Sequence, residues 1–181
     1  MLETSHVVVG MVIGKYVPNP LLAFIFSFLS HFILDFIPHW DGDQKAINNS
    51  NSNQNSKILS TKERFFSKEI QNLLKCDVLA SFILFIYFSV SGIIWPNFPD
   101  ILSFFNFLII NPSWPLGVLG AILPDLLTYF DFLTDFTNKH DFEAFKKLKI
   151  FHKKIQHSAP KIWGLLIQIV LIISTILILN N

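Results

Sequence analysis

The sequence contains a single cysteine, Cys76, so it cannot build a framework of internal disulfides. Charge is also scarce: 15% of residues are charged and 51% are hydrophobic, whereas a soluble globule usually carries more charge. Glycine and proline are few and stand mostly at the edges of apolar runs, where they end helices rather than build β-turns. A net charge of +1 gives no reason to expect a nucleic-acid partner. The first residues lack the basic region and cleavage site of a removable signal peptide.

Long apolar runs are what the sequence does contain. The run at 162–179 has one strongly polar interruption, Gln168, and suits the roughly 20 residues needed to cross a bilayer. The region 101–133 is broken by three prolines and predicts either one kinked crossing or a re-entrant segment followed by a helix. The candidate crossings are residues 6–17, 21–37, 78–95, 101–133 and 162–179. We therefore expect an all-α integral membrane bundle of about five helices, forming a single domain over residues 1–181.

Two polar segments separate these runs. Residues 44–75 include a tract of asparagine and serine that cannot bury enough apolar area to offset its ordering entropy, so a mobile polar loop is predicted at 44–72. Residues 135–161 are rich in lysine but carry apolar residues at helical spacing, which indicates an amphipathic helix lying in the membrane interface. The alternative for this second segment is a soluble surface helix.

The positive charges predict the topology. Of the 14 lysines and arginines, six fall in 44–75 and seven in 135–161, so both segments should face the cytoplasm of a multi-pass inner-membrane protein. Alternating crossings then bring the ionisable residues of all five runs to the cytoplasmic face. A charge in hydrocarbon costs on the order of 2.5 to 3.5 kcal/mol unless it is paired or ligating, so these residues should be partners of one another. They are His6, Asp35, Asp77, Asp125, Asp131, His152 and His157.

His31 and Asp35 stand four positions apart, on one helical face, where both could bind one ion or a bridged pair. The alternative to metal binding is that the two side chains form a hydrogen bond with each other within the helix. His6 could equally be a structural histidine, and Asp125, after Pro124, could cap a helix that restarts after a kink. His39 could belong to a solvated helix end.

His152 and His157 would diverge on a regular helix, so both can reach one site only if the chain turns there. Otherwise they are ordinary interfacial histidines. Oxygen and nitrogen ligands without thiolate favour zinc, with manganese or iron as alternatives, and bridging carboxylates suit two-metal hydrolysis. Lys153 and Lys154 would favour an anionic substrate.

Four short motifs resemble those of bacterial membrane-bound metal-dependent hydrolases, the inner-membrane group that includes a LexA-regulated member. They are Ser5-His6-x3-Gly10, Ser30-His31-x3-Asp35, Leu123-Pro124-Asp125 and His152-x4-His157-Ser158. The resemblance implies that the histidines and aspartates of these motifs ligate metal. The run of His31, Asp35 and His39 also looks like the core of zinc-dependent phospholipases C and single-strand nucleases, which hydrolyse phosphodiesters with zinc clusters. This second resemblance implies that one to three divalent ions are bound. Asp77 and Asp131 are added as candidate ligands from topology alone.

These observations predict a metal-dependent phosphoesterase at the cytoplasmic membrane face, with a membrane lipid or another phosphoester as its substrate. Asp35, Asp125 and Lys153 are the expected catalytic residues. The alternatives are an ion, proton or metal transporter that uses the same cluster and a non-catalytic membrane scaffold. Transport would require polar residues along a whole path, whereas the outward halves of the predicted helices are almost wholly apolar.

Overall fold

The computed structural model describes residues 2–40, 68–90, 101–134 and 142–180, and these residues are all-α, as predicted. They contain no β-strand, only an isolated bridge between His39 and Ser158. Most of the predicted loop at 44–72 lies outside the described residues, and its end from Lys68 onward belongs to a helix. The helices are α1 (Glu3–Tyr16), α2 (Pro20–Phe36), α3 (Lys68–Val90), α4 (Ile101–Ile110), α5 (Ser113–Thr134), α6 (Glu143–Ile155) and α7 (Lys161–Asn180).

The first two apolar runs form two helices, α1 and α2, joined by residues 17–19. Asn19 ends the turn between α1 and α2, and its side chain accepts a hydrogen bond of 3.0 Å from the backbone N–H of Leu22. Pro20 follows at the first helical position, where its fixed φ and missing N–H suit a helix start. The two helices therefore run antiparallel.

The region 101–133 forms two helices rather than one. The break falls at Asn111 and Pro112, between α4 and α5, whereas α5 continues through Pro124. Asp125 consequently lies within a helix, and the alternative that it caps a restarting helix is wrong. The predicted amphipathic segment contains α6, after which residues 156–160 run without helix into α7.

Glycines let α5 approach two helices at backbone distance. A β-carbon added to Gly117 would lie 2.5 Å from the carbonyl oxygen of Gly10 on α1, and one added to Gly120 would lie 2.4 Å from the carbonyl oxygen of Phe24 on α2. Small residues at such crossings are typical of helices that pack in membranes. α5 therefore fixes the positions of α1 and α2 relative to each other.

The helix directions bring the start of α1 and the end of α2 to one end of the bundle. The backbone N–H of Leu2 donates to the side chain of Gln168 in α7, while Lys15 donates to the carbonyl of Leu179 at the far end of α7. α1 and α7 are thus parallel, and α2 and α5 run the other way. We refer to the end that contains the start of α1 as the polar end.

α7 is long and apolar enough to cross a membrane, which confirms the predicted run at 162–179 as a candidate span. Among the described residues it is the one helix that satisfies this test of length and composition. α2 is apolar but has 17 residues, and the predicted run at 78–95 extends beyond the described residues. The other crossings stay predictions.

Replacing Gly117 by valine is expected to destabilise the protein by about 1 to 3 kcal/mol, because the new side chain would meet the backbone of α1, which cannot rotate away. This corresponds to a fall in the melting temperature of roughly 2 to 12 °C for a chain of this size. Thermal unfolding in detergent, followed by circular dichroism, measures the change. Ala80→Val on the exposed face of α3 is the control and should leave the midpoint almost unchanged. Equal midpoints for Gly117→Val and wild type would show that the two backbones are not in contact.

Candidate metal centre

The centre is built around Asp35, near the end of α2, whose side chain is fully buried. His31 lies one turn earlier on the same face, with its Nε2 3.3 Å from Asp35 Oδ2. The predicted shared face is therefore confirmed. A carboxylate removed from water in this way requires hydrogen-bond donors or a cation around it.

His152 of α6 reaches the same two residues from outside the helical hairpin. Its Nε2 lies 2.5 Å from Asp35 Oδ2 and 3.2 Å from His31 Nε2. Gln156, the residue directly after the last residue of α6, donates from its side-chain amide to Asp35 Oδ2 at 3.3 Å. His152 in the last turn of α6 and Gln156 at its end therefore direct both side chains at one carboxylate.

His6 of α1 completes a group of three imidazoles. Its ring stacks on that of His31 at a centroid distance of 4.1 Å, and its Nε2 lies 3.3 Å from Asp35 Oδ1. His6 has 0% exposure, yet neither ring nitrogen makes a hydrogen bond of acceptable geometry with any described residue. Buried polar groups nearly always make hydrogen bonds, so the His6 ring is an exception that calls for an explanation.

Asp125 of α5 forms the accessible side of the centre. Its Oδ1 lies 3.8 Å from the Nε2 atoms of both His31 and His152, and its side chain is 32% exposed. Burial, together with the neighbouring carboxylate of Asp125, raises the pKa of Glu3 to about 9. The centre is therefore closed by imidazoles on one side and opens past carboxylates on the other.

The tautomer of His31 is fixed by the backbone of α5. His31 Nδ1 lies 2.7 Å from the carbonyl oxygen of Ala121, and because a carbonyl can only accept, Nδ1 carries the hydrogen. In the neutral ring, the lone pair is then on Nε2, the atom that faces Asp35 and His152. Metal-binding histidines are held in this way, with the second ring nitrogen bonded to a carbonyl or carboxylate.

The spacing of these atoms fits a divalent metal ion. Ligand atoms of His31, Asp35 and His152 all lie within 4.8 Å of one another, and so do those of His6, His31 and Asp125. Zinc bonds of about 2.0 to 2.2 Å in tetrahedral geometry place two ligands roughly 3.3 Å apart. His31 lies at this distance from both His152 (3.2 Å) and Asp35 (3.3 Å), whereas His152 and Asp35 are at a hydrogen-bonding distance of 2.5 Å and would have to separate around an ion. Imidazole and carboxylate ligands also suit manganese and iron.

The structure does not bring four of the predicted metal ligands into this group. The Asp77 carboxylate accepts hydrogen bonds from the backbone N–H groups of Glu3 and Thr4, at 2.5 and 3.1 Å, and so caps the start of α1. Asp131 is buried against Lys149, with which it forms an ion pair. Both carboxylates therefore have structural partners.

His39 and His157 instead join the end of α2 to the segment before α7 through backbone hydrogen bonds. The backbone N–H of His39 donates to the carbonyl of His157, and the N–H of Ala159 donates to the carbonyl of His39. The His157 ring is exposed and its Nδ1–H donates to the carbonyl of Ile155, while the buried His39 ring makes the same kind of bond to Ile37. Lys153, predicted as catalytic, is exposed on α6 next to His152.

Sequence reasoning overlooked Glu3 and Gln156. Gln156 could have been found, because it repeats the four-residue spacing of His31 and Asp35 after His152. Glu3 offered no such pattern, since its proximity to Asp125 depends on how α1 packs against α5. Comparisons of the chain with protein families, with curated proteins and with solved structures found no match. The resemblance to membrane-bound hydrolases therefore stays a prediction based on the motifs.

The two histidines of the last motif are expected to differ in their effect on metal binding. His152→Ala should weaken binding of zinc or manganese by at least about 100-fold, since even partners behind the ligands are worth 10- to 100-fold. His157→Ala is the matched control and should bind normally, because its ring lies outside the group and its backbone contacts do not need the side chain. Titration calorimetry on metal-stripped protein in detergent measures both. Similar losses in the two variants, or in neither, would contradict this placement.

Proposed function

We propose that the protein is a membrane-embedded, metal-dependent hydrolase whose ion is held by His31, Asp35 and His152 at the polar end of the bundle. The observation that carries the proposal is His6, a fully buried imidazole whose Nδ1 has no partner among the described residues and whose Nε2 faces Asp35 Oδ1 at 3.3 Å without a hydrogen bond of acceptable geometry. A hydrogen-bond network that served only packing would satisfy this group.

The ligand arrangement supports an ion rather than a simple ion pair. The two Nε2 atoms of His31 and His152 face each other and Asp35 at once, and a neutral imidazole nitrogen cannot both donate to and accept from its neighbours. A divalent cation among them satisfies all three side chains together. The four helices that contribute to the centre are far apart in sequence, so its assembly depends on the whole fold.

The open side of the centre supports hydrolysis. A bound divalent ion supplies Lewis acidity toward a phosphoryl oxygen and activates water. Asp125, partly exposed at the mouth, is placed to accept a hydrogen bond from an incoming water and orient it. The exposed Lys153 and Lys154 follow His152 on α6 and attract an anionic group. The proposed substrate is a phosphoester, such as a lipid headgroup that enters sideways from the bilayer.

The positions of apolar and polar side chains in helices other than α7 also support a location in the membrane. Large apolar side chains are exposed along α2 and α3, among them Ile33, Phe36, Leu79 and Phe82. Buried positions of the same bundle hold histidine, aspartate and serine. A soluble protein of this size rarely exposes so many large apolar side chains while it buries histidine and aspartate. Lipid chains are the surroundings that such an exterior suits.

Transport across the bundle is less well supported than hydrolysis. Beyond the metal centre, α1 continues with Val7, Val8 and Met11, which pack in an apolar cluster with Trp114 and Leu179. A conduction path would need polar groups through this region. The apolar cluster instead closes the centre on that side.

Hydrolysis is tested with the full chain purified in detergent and loaded with zinc or manganese. Turnover of bis(p-nitrophenyl) phosphate and of phospholipid in mixed micelles should be abolished by a chelator and restored by the metal. Asp35→Asn should reduce turnover on the order of 100-fold or more, because one buried ligand oxygen is lost. His157→Ala should retain turnover. Stoichiometric metal without turnover, combined with ion flux into vesicles, would favour transport, and a well-folded protein without metal would favour a scaffold.

The single cysteine gives a direct test of orientation. Cys76 is exposed and adjoins Asp77, which caps α1 at the polar end, so the proposed topology places it at the cytoplasmic face. In intact cells it should react with a membrane-permeant maleimide and not with an impermeant one. Pro18→Cys in a Cys76→Ser background, at the turn between α1 and α2, should react with both reagents. Labelling of Cys76 from outside would contradict a cytoplasmic site.

A further inference from the structure

Asp131 is a buried carboxylate that the proposed metal centre does not use. Its side chain is 4% exposed, against 32% for Asp125 in the same helix, α5, and it forms an ion pair with Lys149 of α6. A carboxylate taken out of water depends on its cationic partner, and removal of one partner of a buried pair is strongly destabilising. The pair therefore restricts where the middle of α6 can lie against α5.

Lys149 projects from the same side of α6 as the ligand His152. The two residues are three positions apart, a spacing that places side chains next to each other on a helix. Lys149 meets Asp131 of α5, while His152 Nε2 lies 2.5 Å from Asp35 Oδ2 and 3.8 Å from Asp125 Oδ1. When Lys149 stays on Asp131, His152 is held toward the centre.

α6 buries few apolar side chains that could hold it in place by themselves. Within this helix, which the structure describes throughout, His152 is the one buried residue. Ile150 is 67% exposed and Phe151 is 50% exposed, although the Phe151 ring contacts that of Phe32 on α2 at 5.5 Å. The hydrophobic gain scales with the apolar area that is buried, so the position of α6 depends largely on its specific polar contacts.

The chain directly after α6 is also attached to the bundle. The backbone N–H of His39 donates to the carbonyl of His157 at 3.0 Å, and the N–H of Ala159 donates to the carbonyl of His39 at 2.8 Å. His152 thus lies between two attachments, the ion pair one turn before it and these backbone bonds after it. A metal ligand supported on both sides is held in the geometry that its ion requires.

We propose that the Lys149–Asp131 ion pair is the positioning element of the metal centre, which holds α6 so that His152 completes the ligand set. This inference rests on the proposed metal centre and gives Asp131, a metal ligand in the sequence prediction, a place behind the ligands. Both residues of the pair act through His152. Groups that orient metal ligands typically contribute 10- to 100-fold to metal affinity, and a loss on this order is expected when the pair is broken.

Lys149→Glu places a second carboxylate against Asp131 and should drive the two helices apart at this point. Lys147→Glu is the matched control, because it makes the same charge change on α6 at a side chain that is 74% exposed. The full chain is purified in detergent, stripped with a chelator and titrated with zinc in a calorimeter. Lys149→Glu should bind zinc roughly 10- to 100-fold more weakly than wild type. Lys147→Glu and the charge-conserving Lys149→Arg should bind zinc as wild type does.

Cobalt in place of zinc identifies the ligand that is affected, because its visible spectrum reports the coordination of the ion. The spectrum of Lys149→Glu should approach that of His152→Ala, and the spectrum of Lys149→Arg should match wild type. A spectral change larger than that of His152→Ala would show that the whole centre loosens, which would overturn a role through His152. Equal losses of affinity in Lys149→Glu and Lys147→Glu, or no loss in Lys149→Glu, would overturn it as well.

Asp131→Asn is the second variant, in case Lys149→Glu does not fold. Asparagine has nearly the same size as aspartate, and the Lys149 side chain, at 42% exposure, remains in contact with solvent when it is unpaired. This variant should keep the circular dichroism spectrum of wild type and lose zinc affinity in the same direction. Wild-type affinity in Asp131→Asn would overturn the positioning role and leave the metal centre in place. Wild type that binds neither zinc nor cobalt would overturn the proposed function itself.

Discussion

The burial of the Asp35 carboxylate is the constraint on which the rest of the structure depends. An isolated carboxylate inside a helical bundle costs several kcal/mol, and the chain compensates by directing His6, His31 and His152 at its two oxygens. The three imidazoles come from three different helices, α1, α2 and α6. α6 lies outside the hairpin of α1 and α2, and His152 is one of the contacts that join it to α2.

Backbone contacts through glycine make that convergence possible. Helices surrounded by lipid, as proposed for this bundle, gain little from burying large side chains against each other and depend on close packing, because lipid tails are as apolar as leucine. Gly117 and Gly120 bring α5 into contact with the backbones of α1 and α2, and the carbonyl of Ala121 then reaches His31. The same helix that sets the spacing of the hairpin therefore also sets the tautomer of a proposed ligand.

The sequence was informative where periodicity and chemistry coincide. The four-residue spacing of His31 and Asp35 placed them on one face, and the alternation of helices placed His6, Asp125 and His152 at the same end. Two physical facts lay beyond such reasoning. His157 has the same residue type and neighbourhood as His152, but the chain leaves the helix at Gln156, and its ring turns to the backbone of Ile155. Asp77 lies at the same end of the bundle as the metal centre. Its carboxylate, however, accepts hydrogen bonds from the free N–H groups at the start of α1, and these bonds satisfy it without a metal ion.

The buried polar side chains differ in where their hydrogen-bond partners come from. Asp77, Asp131 and His39 have backbone or lysine partners that the fold itself supplies, so each is satisfied by folding alone. His6 has no such partner among the described residues, and Asp35 is shared among three imidazoles. If an ion supplies what these groups lack, its binding energy contributes to folding, because the ligands converge only in the native bundle. Helices α1, α2 and α5, which pack closely through glycine, also carry four of the residues of the centre, so a change that loosens their packing should weaken metal binding before it unfolds the chain.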